Sequence, residues 1–189
     1  MATMSHMSAR LASILSILFC ICNLANPAMA KKLELPGHLK LTFYSHEIWD
    51  GPNATLLLAA GTGQGQNNMS ATGMGTIYVF DNPLKTGPSN DSKVVGHSSG
   101  TAVATTLQPI MTGGLYMTAD HIFDKSSKYN GSRITVIGTV LQAHKPYELL
   151  VPGGLGYFLG CSGYASVSSV PNITAPAHVC KWDFNLKCH

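Results

Sequence analysis

Charge is in short supply. Asp, Glu, Lys and Arg make up 11% of the 189 residues, and twelve basic against nine acidic side chains leave the chain only weakly basic. Without a basic cluster there is no electrostatic footprint for nucleic acid. No segment repeats apolar residues at helical spacing, so the framework is expected to be β throughout. No C-x-x-C or H-E-x-x-H spacing occurs and the histidines are scattered, so no metal is expected. The stretch Gly61-Thr62-Gly63-Gln64-Gly65 lacks the third glycine of a dinucleotide fingerprint and is followed by no helix; residues 61–75 read as a loop. No cofactor is expected.

A long apolar run is also missing. The longest, residues 11–22, falls short of the ~20 residues that a membrane span needs. With Arg10 before it and Ala28-Met29-Ala30 after it, residues 1–30 read as a secretory signal peptide. The expected mature chain, residues 31–189, is one extracellular domain with no membrane segment. Cysteine is sparse: Cys20 and Cys22 leave with the leader, and Cys161, Cys180 and Cys188 remain. An odd number excludes a fully paired disulfide scaffold. Cys180 and Cys188 are eight residues apart on one strand, roughly 26 Å at ~3.3 Å per residue, and cannot join. At most, Cys161 bridges one of them.

What the chain does have is alternation. Strands are expected at residues 39–48, 55–60, 76–80, 92–107, 115–123, 132–140, 147–151, 157–167 and 179–188. Asp81-Asn82-Pro83 should end the third, with Asp81 holding the turn. Pro152-Gly153-Gly154 should reverse the chain between residues 147–151 and 157–167, which pair as a hairpin. Gly138, inside a strand, leaves room beside the backbone for a ligand. About eight strands with short turns point to an all-β fold, a closed eight-stranded antiparallel β-barrel with a small-ligand cavity; a sandwich is the alternative. Five sequons, at Asn53, Asn68, Asn90, Asn130 and Asn172, behind a signal peptide point to a glycoprotein.

Several motifs in order carry a resemblance: Thr42-Phe43-Tyr44-Ser45-His46-Glu47, Val79-Phe80-Asp81-Asn82-Pro83-Leu84 with Gly87-Pro88, Ser92-Lys93-Val94-Val95-Gly96 with Gly100, Tyr129-Asn130-Gly131-Ser132, Val151 to Phe158, and Ser162-Gly163-Tyr164-Ala165. Together they resemble the plant dirigent family across the mature chain. The resemblance implies a barrel of the allene-oxide-cyclase type, a homo-oligomer (dimer or trimer), secreted to the apoplast. It implies stereoselective coupling of phenoxy radicals from monolignols such as coniferyl alcohol in lignan metabolism, with a laccase or peroxidase as the radical source. It also implies pocket differences. Glu47 stands where the family has Asp, Val140 where lignan-forming members have a second acid, and Tyr147 where they have an arginine. The hairpin end reads Ser162-Gly163 for Arg-Gly, and its joint reads Gly153-Gly154-Leu155-Gly156 for Gly-Gly-Thr-Gly.

Glu47 is the candidate catalytic residue. It shares a face with Leu39, Leu41 and Phe43, and an acid buried among them holds its proton to higher pH and can donate it to a quinone-methide oxygen. His46, on the opposite face, is no partner for it. Tyr78 and Phe80 could stack on phenolic rings, Tyr147 could donate a hydrogen bond, and Val140 completes the candidate substrate-binding set. Two other functions stay open: dehydrating ring closure of a phenolic substrate, and non-catalytic binding of phenolics in the wall or in defence.

Overall fold

The computed structural model describes residues 37–61, 73–141 and 144–189; the expected signal peptide and Asn68 lie outside them, as does most of the expected 61–75 loop. Within them are nine antiparallel strands: β1 His38–Ile48, β2 Leu56–Ala60, β3 Ile77–Lys85, β4 Val94–Val103, β5 Leu115–Phe123, β6 Arg133–Val140, β7 Tyr147–Leu155, β8 Cys161–Ser169 and β9 Ala177–Cys188. Their order is β1-β9-β8-β7-β6-β5-β4-β3-β2, and β1 also pairs with β3 through Tyr44↔Lys85 and Ser45↔Leu84. That last contact closes eight strands into a barrel and excludes the sandwich. Strand β2 is the ninth, laid along the first half of β3.

Alternation decides what enters the barrel, because successive side chains point to opposite faces. On β5, Leu115, Met117, Ala119, His121 and Phe123 are buried; on β9, Cys180, Trp182, Phe184, Leu186 and Cys188 are. One end of the interior is packed with rings. Phe123 lies 5.0 Å from Phe43, 5.4 Å from Tyr129 and 5.5 Å from Phe158 between ring centroids, and Tyr129 lies 5.0 Å from Phe158. Such tilted and edge-on pairs add to the burial of the rings themselves. Cys161 and Cys188 form a disulfide at this end, while Cys180, further back along β9, remains a buried thiol.

Several local expectations are corrected. Strand β3 does not stop at Phe80; it runs on through Asp81-Asn82-Pro83 to Lys85. The backbone N–H of Asp81 bonds Thr55 of the β1–β2 connection. Pro83, two residues on, therefore turns its nitrogen to the same edge, where pairing with β2 has ended at Phe80 and pairing with β1 has not yet begun at Leu84. A residue without a donor sits there at no cost. Asp81 holds no turn: it accepts from His97 across the outer face at 2.7 Å. The β7–β8 hairpin forms as expected, with Tyr147↔Val167 and Leu149↔Ala165 in register, but β7 continues through Pro152-Gly153-Gly154 and the chain reverses later, at a 3-10 turn over Gly156–Phe158. The space beside Gly138 is taken by Leu149, whose Cδ2 would lie 3.0 Å from an added Cβ, so it is not a ligand's. The strand expected over 92–107 is shorter, Val94–Val103.

Candidate functional site

The end of the barrel opposite the rings holds a cavity. About 60 Å³ of it is open to the centres of water molecules, inside about 560 Å³ of atom-free space running out through its mouth. Its walls are close together. Strand β1 delivers Ser45 and Glu47 to it, and Trp49 follows on the same alternating face; β9 adds Cys180 and Trp182. The register Ser45↔Cys180 and Phe43↔Trp182 sets these two strands side by side.

Glu47 is the best-connected group there. Trp49 donates its indole N–H to Oε2 at 2.8 Å, and Ser45 its hydroxyl to Oε1 at 3.3 Å. Trp182 in turn donates to Ser45 Oγ at 3.0 Å, fully out of water. Glu47 keeps some accessible surface, yet it lies deep enough that burial dominates and pushes its carboxyl above the ordinary carboxylate range. The donors Trp49, Cys180 and Ser45, and the charge of Lys145, pull the other way without winning. The carboxyl thus holds its proton to higher pH than a solvated one would, in a mostly apolar chamber and fixed by neutral donors.

The other expected residues divide. Val140 and Tyr147 are buried and line the cavity, and Phe80 lines it half-buried. Tyr147 keeps its phenolic proton to well above the usual range because burial disfavours the phenolate, and the nearby thiol and carboxyl reinforce this. Tyr78 points inward on the same face as Phe80 but is wholly buried in the core, not among the cavity-lining residues. His46 faces away, bonded to the Gly87 carbonyl at 3.0 Å, and burial holds its pKa down. Asn53, Asn90, Asn130 and Asn172 are exposed.

Of the fourteen lining residues only four, Glu47, Phe80, Val140 and Tyr147, were expected from the sequence. Trp49, Cys180 and Ser45 lie on faces that strict alternation had already marked, so carrying the period two residues past Glu47 would have found Trp49. Asn82 and Ser98 also line the cavity; Asn82 was masked by its turn-like neighbours. Lys145 was missed as well. It donates to Ser169 Oγ, which bonds His178 Nε2 at 3.1 Å, and its charge lowers the pKa of Glu47. A cation thus acts on the acid from two residues before Tyr147. His178 packs on Trp49 with centroids 4.9 Å apart, and burial lowers its pKa to about 4, so it is neutral.

Among the described residues, no group of three His, Cys, Asp or Glu side chains is placed to hold a metal. Residues 38–187 match the family model described as dirigent-like protein. Pterocarpan synthase 1 of Glycyrrhiza echinata is 30% identical over 127 residues, 66% of this chain and 64% of that protein. Dirigent protein 21 of Arabidopsis thaliana is 33% identical over 150 residues, 76% of each chain, and dirigent protein 15 of the same plant 28% over 170, 83% of this chain and 88% of that one. Among solved structures, the pterocarpan synthase dirigent proteins GePTS1 and PsPTS1 superpose with TM-scores of 0.69 at 26% and 27% identity. They cover 80% of this chain, and 85% and 96% of their own.

Proposed function

The chain belongs to the dirigent family, and on that premise we propose that it is a secreted protein that binds phenolic molecules in the barrel and directs the stereochemistry with which their radicals couple. A separate laccase or peroxidase supplies the radicals. Coupling itself has almost no barrier, so the contribution of the cavity is orientation: close walls fix which faces of two rings meet. The observation that carries the reading is Glu47, a proton-holding carboxyl fixed by Trp49 and Ser45 in a narrow chamber. After a carbon–carbon bond joins two radicals, each ring is a quinone methide. Glu47 gives its proton to the carbonyl oxygen, restoring a phenol, as a hydroxyl oxygen closes on the methide carbon; the proton that this hydroxyl sheds returns Glu47 to its acid form. Leu150 and Tyr164, exposed cross-strand partners on the outer wall, support the homo-oligomer.

The test is chiral separation of the products of coniferyl alcohol and laccase with and without the protein. One enantiomer of one product should be enriched while total coupling stays the same. Glu47→Gln keeps the size and hydrogen bonding of the side chain but has no titrating proton, and should lose most of the enrichment. Racemic product from the parent with every monolignol tried would sink the reading.

The names of the similar pterocarpan synthases favour a second reading, dehydrating ring closure. Here Glu47 would protonate a leaving hydroxyl, which departs as water, while a phenolic oxygen closes the ring and gives its own proton to the Glu47 carboxylate. The second acid that such work usually shares is Val140 in this chain. Incubation of a closed-shell phenolic alcohol without oxidant separates the two: turnover then belongs to this reading alone.

A further inference from the structure

The cavity wall carries a polar row that the chemistry at Glu47 does not use. Asn82 on β3 is the register partner of Ser98 on β4, and Ser98 is the partner of His121 on β5. All three are buried, exposed by 3%, 1% and 0%. The row starts beside Glu47, because Thr55 Oγ1 accepts from Ile48 N–H at 2.9 Å and donates to Asn82 Oδ1 at 2.6 Å. It then runs down the barrel, since strands in a closed sheet are tilted and each step across them is also a step along the axis. His121, at its lower end, meets Trp182 and Phe184 of β9 with centroids 4.5 and 5.1 Å apart, edge to face. Strand β9 lies four places from β5 around the eight-stranded ring. Of these three rings Trp182 reaches the cavity, and His121 and Phe184 pack behind it.

Asn82 is bonded. Ser98 Oγ and both ring nitrogens of His121 are buried without a hydrogen-bond partner among the described residues. Native interiors seldom leave one such group unmatched, and here three atoms on adjacent residues are. Burial alone holds His121 at a pKa of about 3, so at any ordinary pH one of its nitrogens donates and the other accepts. Ser98 lines the cavity, and His121 stands behind it in register.

We propose that Ser98 is the contact residue of a second ligand subsite, positioned by neutral His121, which takes a hydroxyl at the end of the ligand away from Glu47. The subsite rests on the phenolic-binding reading above. The ligand class is then a phenol with a second hydroxyl, reaching across two strand spacings of wall, about 10 Å. Ser98 accepts from that hydroxyl and turns its own proton toward His121 behind it, so the ligand brings into use a pair that the free chain leaves unmatched. A ligand ending in a methyl group would leave all three polar atoms unmatched, and would bind more weakly for that reason.

Both tryptophans of the chain, Trp49 and Trp182, line the cavity, so intrinsic fluorescence reports binding directly. The experiment titrates the full protein, without oxidant, with coniferyl alcohol and with isoeugenol, the same methoxyphenol with a methyl group in place of the terminal hydroxymethyl. The parent should prefer the alcohol by about tenfold, the worth of one well-made hydrogen bond, and the preference should not change between pH 5 and 8. Ser98→Ala should bind both probes equally at the parent's isoeugenol affinity. His121→Phe, which keeps a ring against Trp182, should bring the two within about twofold. Equal affinity of the parent for both probes, or a preference that survives in Ser98→Ala, overturns the subsite and leaves the stereo-directing reading standing. Failure to bind either probe overturns both.

Discussion

The Phe43–Phe123–Phe158 end of the barrel and the Glu47–Ser98–His121 end are built on the same strands and treat burial in opposite ways. At the first, rings meet rings and a disulfide ties β8 to β9. At the second, Trp182 and Ser45 feed a carboxyl, and Ser98 and His121 have no hydrogen-bond partner among the described residues. One end supplies stability from contacts complete in the free chain. The other gives some of it up, keeping desolvated polar groups whose partner must come from outside. Each variant below asks whether that division holds.

Phe123→Ala should have the largest effect, because it opens a hole among three aromatic neighbours: a loss of ~3–5 kcal/mol in urea unfolding. A loss below about 1 kcal/mol would mean that the end collapses freely and is not close-packed. On the polar side, the sharpest effect is one of acidity. His121 stays neutral when folded, with a pKa of about 3, whereas the unfolded chain takes up the proton near 6.5. The stability it protects is complete above pH 6.5 and is lost as pH falls toward 3, on the order of 5 kcal/mol over that window. Unfolding measured against pH should show this slope in the parent and a flatter one in His121→Phe. His178, with a pKa of about 4, adds a loss of the same sign over a shorter window, between pH 6.5 and 4.

Removing the Cys161–Cys188 bridge, which closes a loop across a separation of 27 residues, should cost ~3.5 kcal/mol by chain entropy. The double Cys161→Ser/Cys188→Ser variant measures it, and should leave binding of phenolic probes at the other end unchanged. The smallest effect on stability belongs to the sequons. Protein from a eukaryotic secretory host should lose mass on deglycosylation with little change in Tm, because Asn53, Asn90, Asn130 and Asn172 are exposed and outside the core. An unchanged mass would show these sites to be empty.

The barrel was legible in the sequence because alternation is a local signal and both faces of each strand are decided within a few residues. The same signal placed Glu47 inside and His46 outside. Where it failed, tertiary context overruled local chemistry. Asp81-Asn82-Pro83 reads as a turn, yet the changeover from β2 to β1 along β3 leaves an edge position where Pro83 fits. Pro152-Gly153-Gly154 reads as a reversal, yet Gly153 and Gly154 still pair with Thr135 and Ile134 of β6. Gly138 suggested space, and a leucine from the next strand fills it. The Ser98–His121 pair was out of reach for a different reason: it depends on the register between two strands, and nothing within either strand announces it.

The longest ladder of the barrel joins its most distant strands. β1 matches β9 residue for residue, from His38↔Lys187 to Ile48↔Ala177, and otherwise meets only two residues of β3. Among the described strands β1 is made first, and its principal partner, β9, after all the others. Contacts this far apart in sequence form late, because the whole intervening chain must be ordered before they can repay its closure. Until β9 emerges, one long edge of β1 has hydrogen-bonding groups that any other extended segment could take up. The barrel can therefore close only once β9 has been made, and until then the β1 edge needs shielding from other extended segments.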